Sequence, residues 1–359
     1  MMDQHMAAAL AHPAKEADEQ ARLTPQQLDL IYQQKWFKLF VPPEQNGLGL
    51  GLPEGLRMEE TLARIDGSLG WTITLCSGAT QFTGYLPPAL TGEIFKNDRV
   101  CFGGSGALSG IARETKEGYE VSGSWKYATG APYCTHFTAN CKIEKEGRLV
   151  TNAQGAPVYR SFLFTRDEVL IHNDWDTMGL RATASESFSV SAIQVPMERS
   201  FTILPAAATL PGVIYRYPFL QFAETTLAVN TLGMALHFLE AFQQLVQQKP
   251  GKGISGDASV WAMQQKGQQA AQLLQKLRER FYASADESWN CIQKSGIIPE
   301  ALLQQVSRNS RLLARFSGKL VAGLYPLCGV AATRRGTVLN RIFRDIFTAS
   351  QHALLNTPA

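Results

Sequence analysis

The order in which hydrophobic periodicity changes along the chain restricts its fold more than any other feature. Residues up to about Lys96 carry helical spacing, residues from Arg99 to about Ser200 carry strand alternation, and the sequence beyond Tyr217 returns to helix. In the first stretch, Thr24-Pro25-Gln26-Gln27 combines an N-cap, a proline at the first helical position and a glutamine that completes a capping box. Leu28, Ile31 and Tyr32 follow at helical spacing. Pro42-Pro43 with Gly47, Gly49 and Gly51 reads as a loop, and a second helix near Leu56 to Ile65 stops at Asp66-Gly67. In the middle stretch, Tyr119 to Tyr127 and Ser187 to Ile193 alternate with period two, and Gly118 and Gly155 mark turns. Short strands with glycine-rich connections predict a small antiparallel barrel. The last stretch predicts helices over Phe222–Val246, Ala258–Cys291, Pro299–Leu320 and Arg335–Leu355, with a loop from Pro250-Gly251-Lys252-Gly253 to Gly256. Long helices joined by short loops pack antiparallel, so a four-helix bundle is expected.

The sequence therefore predicts a mainly α chain with a central β-barrel. Its parts are an N-terminal helical domain (1–97), a β-barrel domain (98–205) and a C-terminal four-helix bundle (206–359). At 359 residues and 45% hydrophobic content the chain has ample material for a core. The formal charge is +3 with no concentrated basic patch, which argues against a nucleic-acid partner. No apolar run reaches the ~20 residues of a membrane span, and the N-terminal apolar run is too short for a signal sequence. A cytoplasmic protein without a membrane partner is expected. Six cysteines (Cys76, Cys101, Cys134, Cys141, Cys291 and Cys328) include no CxxC, and six histidines show no HxH or HExxH spacing. The cysteines read as small buried thiols, and no catalytic metal is expected.

Three motifs resemble the acyl-CoA dehydrogenase superfamily, most closely its branch of two-component flavin-dependent monooxygenases. The first runs from Phe102 to Ala112 through Gly103-Gly104-Ser105-Gly106 and on to the hairpin strand ending Tyr127-Ala128-Thr129-Gly130. Glycines let a backbone approach a flat ring and offer N–H donors to it. The resemblance implies a flavin site built from Gly103, Ser105, Gly106, Ser109, Tyr127 and Thr129. Thr129 matches the residue that bonds the flavin N5 side, Tyr127 an aromatic packed on the ring, and Ser109 a serine near the phosphates. A threonine and an aromatic two apart on a strand would face one side. The dehydrogenases usually carry Thr-Glu-Pro where this chain has Gly103-Gly104-Ser105.

The second motif, Gly179-Leu180-Arg181-Ala182-Thr183-Ala184-Ser185, is similar to a segment that closes over the flavin. It adds Arg181, Thr183 and Ser185 to the implied cofactor set. The third, Arg341 to His352, resembles the last helix of the family, whose Arg-Asp pair (here Arg344-Asp345) ties the bundle together. In the monooxygenase branch a later histidine reaches the flavin pocket. His352 follows Asp345 by two turns and so falls near the same helix face.

Acyl-CoA dehydrogenation needs a carboxylate base. The family's late Glu-Gly-Thr turn is absent, and the remaining candidate, Glu224, falls one residue short of the usual register. One residue turns a helical side chain by about 100°. An oxygenase instead needs a hydroxyl and an imidazole in a site shielded from water, roles that Thr129 and His352 fit. The resemblance thus implies a flavin-dependent oxidoreductase, more of the monooxygenase than of the dehydrogenase type, acting on an aromatic or apolar small molecule. Trp71, Phe82, Tyr85, Tyr133 and Phe219 are candidate substrate contacts. The cofactor is FAD or FMN, supplied reduced by a separate reductase, since no nicotinamide-binding GxGxxG follows a strand. Two alternatives stand beside it: an FAD-dependent acyl-CoA dehydrogenase using Glu224, and a flavin-free binding relative. The family assembles through its C-terminal bundle, which implies a homotetramer or homodimer, with the helices around Phe222–Phe242 and Leu312–Leu327 as candidate interfaces.

Overall fold

The computed structural model describes residues 3–248 and 253–356. The first part of the chain is helical: α1 (Gln4–Ala11), α2 (Ala14–Gln20), α3 (Pro25–Gln33), α4 (Leu52–Ile65), α5 (Gly67–Thr80) and α6 (Pro88–Ile94). Thr24 caps α3 as its sequence suggests. Its hydroxyl accepts from the Gln27 N–H, and the Gln27 side chain accepts from the Thr24 N–H in return. Asp66 ends α4 and at once caps α5 by accepting the Leu69 N–H at 3.0 Å, so one residue both stops and starts a helix.

Eight strands follow: β1 (Phe102–Glu114), β2 (Gly118–Ala128), β3 (His136–Lys145), β4 (Arg148–Leu149), β5 (Tyr159–Thr165), β6 (Leu170–His172), β7 (Glu186–Pro196) and β8 (Ser200–Phe201). They form one sheet in the order β6-β7-β2-β1-β3-β5-β8, with β4 attached to β3. Every pairing is antiparallel except β1 with β3, which is parallel. The expected closed antiparallel barrel is therefore incorrect. The path ends at β6 and β8, which do not pair with each other among the described residues. Closure needs two edge strands long enough to share a ladder, and these have three and two residues. One face packs around Trp125, fully buried and stacked on Phe188 with centroids 5.2 Å apart.

A single-turn helix, α7 (Val213–Arg216), leads into α8 (Phe219–Gln248), α9 (Gly253–Ser295), α10 (Glu300–Leu324), α11 (Val338–Ala349) and α12 (Ala353–Asn356). The loop expected at Pro250-Gly251-Lys252 lies outside the described residues, and Gly253 to Gly256 are already helical. The fourth helix is shorter than its sequence pattern. Thr337 caps α11 by accepting the Asn340 N–H, and the helix ends at Ala349. Phe222, Phe238 and Phe242 of α8 are buried within the chain, whereas Leu312 and Phe347 stay exposed. No helix among the described residues is long and apolar enough to cross a membrane.

Candidate active site

A cleft opens between the sheet and the start of α8, with about 980 Å³ of space free of protein atoms counted out to its solvent mouth. Its sheet-side wall is a glycine-rich ribbon, Gly103-Gly104-Ser105-Gly106. The β1–β3 ladder pairs Ser105 with Ala139 and resumes at Gly110 with Cys141. β1 thus advances five residues (110 − 105) while β3 advances two (141 − 139), and residues 106–109 are pushed out of the sheet. At Gly104 a Cβ would stand 2.1 Å from the Thr138 carbonyl oxygen, so the ladder itself demands glycine. At Gly106 a Cβ would meet nothing within 4 Å. Packing does not demand glycine at 106, and a side chain there would stand in the cleft. Thr138 donates to the Gly103 carbonyl at 3.3 Å and Asn140 to the Gly106 carbonyl at 3.0 Å, while Ser161 donates to Asn140 at 2.7 Å. These residues also line the cleft, and sequence reasoning missed them. Their signal was the polar pair Thr138 and Asn140 alternating with Phe137, Ala139 and Cys141.

Thr129 closes the end of the ribbon and is 5% exposed. Its hydroxyl lies 2.9 Å from that of Ser185, which lies 2.7 Å from that of Thr183, and Thr183 donates to the Leu180 carbonyl at 2.8 Å. A carbonyl can only accept, so the protons of this chain run one way: Thr129 donates to Ser185 and Ser185 to Thr183. The Thr129 hydroxyl is left with lone pairs to offer a ligand. Thr183 and Ser185, expected to touch the cofactor, stand behind Thr129 instead of lining the cleft.

Tyr127 does not share the side of Thr129. The β2–β7 register shifts between Trp125 and Ala128, and Tyr127 has φ +68°. That break in the alternation turns the ring out, 68% exposed and edge-on to Trp175 at 6.1 Å. Ser109 is exposed in the bulge and donates to the Ser124 carbonyl at 2.7 Å. Arg181 lies away from the cleft, donating to the Asp18 carbonyl at 3.1 Å and facing Asp176 at 3.8 Å. Of the implied cofactor set, Gly103, Ser105, Gly106 and Thr129 come together at the cleft.

The opposite wall is apolar, with Phe219, Phe222, Ala223 and Leu227 from α8 and Phe82 beyond α5. Phe82 and Phe219 were expected there. Trp71 lies behind His352, edge-on at 6.0 Å, while the Tyr85 hydroxyl is spent on the Tyr215 carbonyl and that of Tyr133 accepts the Leu23 N–H. His352 reaches the cleft from the turn between α11 and α12, not from the face of a helix. Its Nδ1 accepts the Leu354 N–H at 3.3 Å, which puts the ring hydrogen on Nε2. Burial holds its pKa below that of a free imidazole, so the ring is neutral at pH 7.

Glu224 is buried but does not line the cleft, although its neighbours Ala223 and Thr226 do. It lies 3.6 Å from Arg311 of α10, turned into the bundle. Arg344 and Asp345 do not serve the bundle as a mutual pair. Arg344 forks onto Asp18 of α2 at 2.7 and 3.1 Å and donates to the Met178 carbonyl, while Asp345 accepts the Leu180 N–H at 2.6 Å. The two residues fasten the N-terminal helices and the Met178–Leu180 turn to α11.

Residues 225–357 match the family model described as acyl-CoA dehydrogenase, C-terminal domain. The chain is 27% identical over 351 residues to the indole-3-acetate monooxygenase of Acinetobacter baumannii, covering 95% of this chain and 86% of the relative. It is 23% identical to the oxygenase subunit HsaA, a flavin-dependent monooxygenase of Rhodococcus jostii, covering 96% and 91%. The crystal structure of 3-HSA hydroxylase from Rhodococcus sp. RHA1 superposes with a TM-score of 0.89 at 19% identity, covering 98% of this chain and 92% of that one. The fold is that of these neighbours, and its C-terminal part matches the acyl-CoA dehydrogenase C-terminal domain. The relatives it resembles over nearly its whole length include oxygenase components of flavin-dependent monooxygenases.

Proposed function

We propose that this protein is the oxygenase component of a two-component monooxygenase, taking reduced flavin from a separate reductase and hydroxylating an aromatic small molecule. One observation carries the choice over a dehydrogenase: among the described residues no carboxylate lines the cleft, and the one titratable side chain that does is the neutral His352. The carboxylate that takes the α-proton in acyl-CoA dehydrogenation has no counterpart on the cleft walls.

The residues present fit a flavin. The wall at Gly103–Gly106 carries three glycines, and Gly106 leaves open the space that a side chain would take. When bound, reduced flavin supplies the two electrons that activate dioxygen, so that one oxygen atom enters the substrate and the other leaves as water. Thr129, its hydroxyl proton committed to Ser185, offers an acceptor, which suits the N5–H of reduced flavin and not the bare N5 of the oxidised form. His352 holds a proton at Nε2 and stays uncharged in a largely apolar cleft. Phe82, Phe219, Phe222 and Leu227 exclude water and give an aromatic ring its contact surface. In solution the chain assembles with copies of itself through the bundle, where Leu312 and Phe347 are exposed.

The test supplies chemically reduced FMN or FAD, isotopically labelled dioxygen and a panel of aromatic acids and phenols that includes indole-3-acetate. Labelled oxygen in a hydroxylated product is the expected result. Reduction of bound FAD by an acyl-CoA, with no oxygenated product, would hand the site to the dehydrogenase reading. Failure to bind flavin in either redox state would leave only the flavin-free one.

A further inference from the structure

Behind the Thr129 end of the cleft wall, three cysteines far apart in sequence meet. Cys76 comes from α5, Cys101 from the residue before β1, and Cys134 from the turn after β2. Their Sγ atoms all lie within 4.8 Å of one another, and the residues are 0%, 0% and 2% exposed. The backbone is shaped around these sulfurs. A Cβ on Gly103 would stand 2.4 Å from the Cys134 Sγ, and one on Gly130 2.8 Å from that of Cys76. The Thr129 carbonyl oxygen lies 3.5 Å from the Cys76 Sγ and 3.9 Å from the Cys134 Sγ.

We propose that Cys76, Cys101 and Cys134, with the main-chain carbonyl of Thr129, form a tetrahedral site for a thiophilic divalent ion of the zinc class. Zinc bonds sulfur at about 2.3 Å and oxygen at about 2.1 Å, so the edges of such a tetrahedron are about 3.8 Å between sulfurs and about 3.6 Å from sulfur to oxygen. The carbonyl already stands at that range from two sulfurs, and the thiols need only draw inward. Cys134 also donates to the Gly130 carbonyl at 3.3 Å, a bond given up when the thiol ionises. Binding is a proton exchange without redox change. Three S–H bonds break, three protons pass to solvent, and three metal–sulfur bonds form. Spacings of 25 (101 − 76) and 33 (134 − 101) residues hide the site from any reading of sequence motifs.

The test loads the full-length, thiol-reduced protein anaerobically with Co(II), both by incubation and by refolding, then competes it with Zn(II). One ion per chain with sulfur-to-cobalt charge transfer is expected, with about three protons released per ion. Cys101→Ala and Cys134→Ala should abolish the band, while Cys291→Ala, on α9 away from the cluster, should keep it. If an alanine variant fails to fold, the wild-type spectrum and proton count still decide. No charge transfer by either loading route would overturn the proposal. So would full affinity in both cluster variants, or a disulfide between two of the three thiols after anaerobic purification. None of these readouts needs flavin, so the site stands or falls apart from the oxygenase reading.

Discussion

Thr129 is held at both of its oxygens: its carbonyl accepts from two thiols, and its hydroxyl heads a one-way chain ending on the Leu180 carbonyl. The polarity of that chain depends on Ser185. Ser185→Ala frees the Thr129 hydroxyl to turn, and it should lower affinity for reduced flavin about fivefold, the worth of roughly one hydrogen bond, while leaving oxidised flavin nearly unaffected. Separate titrations of the two redox states would show it, and equal losses in both would remove the polarity argument. His352→Ala deletes the one ring N–H in an otherwise apolar wall. Product formation should fall by roughly 10²-fold, with oxygen diverted to hydrogen peroxide and flavin affinity little changed. Simultaneous assay of product and peroxide checks this, and unchanged coupling would take His352 out of the chemistry.

At the scale of elements, the structure departs from the sequence pattern where strands are interrupted. The Thr24 capping box and the Asp66-Gly67 boundary were legible because each depends on residues within one turn of helix. The bulge at 106–109 and the reversal at Tyr127 were not, because register is set by a partner strand and period two says nothing of where it breaks. The absence of barrel closure was hidden for the same reason: edge pairing is a property of two strands, and each alone reads as a strand. In the candidate site, the glycine ribbon, Thr129 and His352 were legible as motifs. Asn140, Ser161 and the three-thiol cluster were not, since only tertiary contact gives them meaning. The bulge carries its own prediction. A Cβ at position 106 meets no atom within 4 Å, so Gly106→Ala should change stability by no more than about 1 kcal/mol, yet weaken flavin binding. A melting curve beside a flavin titration distinguishes this from general damage.

At the scale of the molecule, α11 is where separate parts of the chain are joined. Arg341 reaches Asp66, Arg344 reaches Asp18 and Met178, and Asp345 receives the Leu180 N–H. Burial, aided by the neighbouring Asp66, pushes the Asp345 carboxyl from its ordinary 3.8 up to about 8. The folded state therefore keeps a proton that the unfolded chain releases. Its contribution to stability is full below about pH 4 and declines as pH rises to about 8. Asp345→Asn keeps the acceptor for Leu180 and cannot ionise. Its stability relative to the native chain should improve across that window by about 2–5 kcal/mol, measured by denaturant unfolding at several pH values. A difference independent of pH would contradict the shift.

The same junction sets a timetable for the protein's birth. Asp18 emerges from the ribosome 326 residues before its guanidinium partner. Proteins commonly complete their N-terminal parts first during synthesis. Here α2 cannot be locked to its mate until α11 has been made, so this fastening forms only after the intervening sheet and bundle helices have been synthesised.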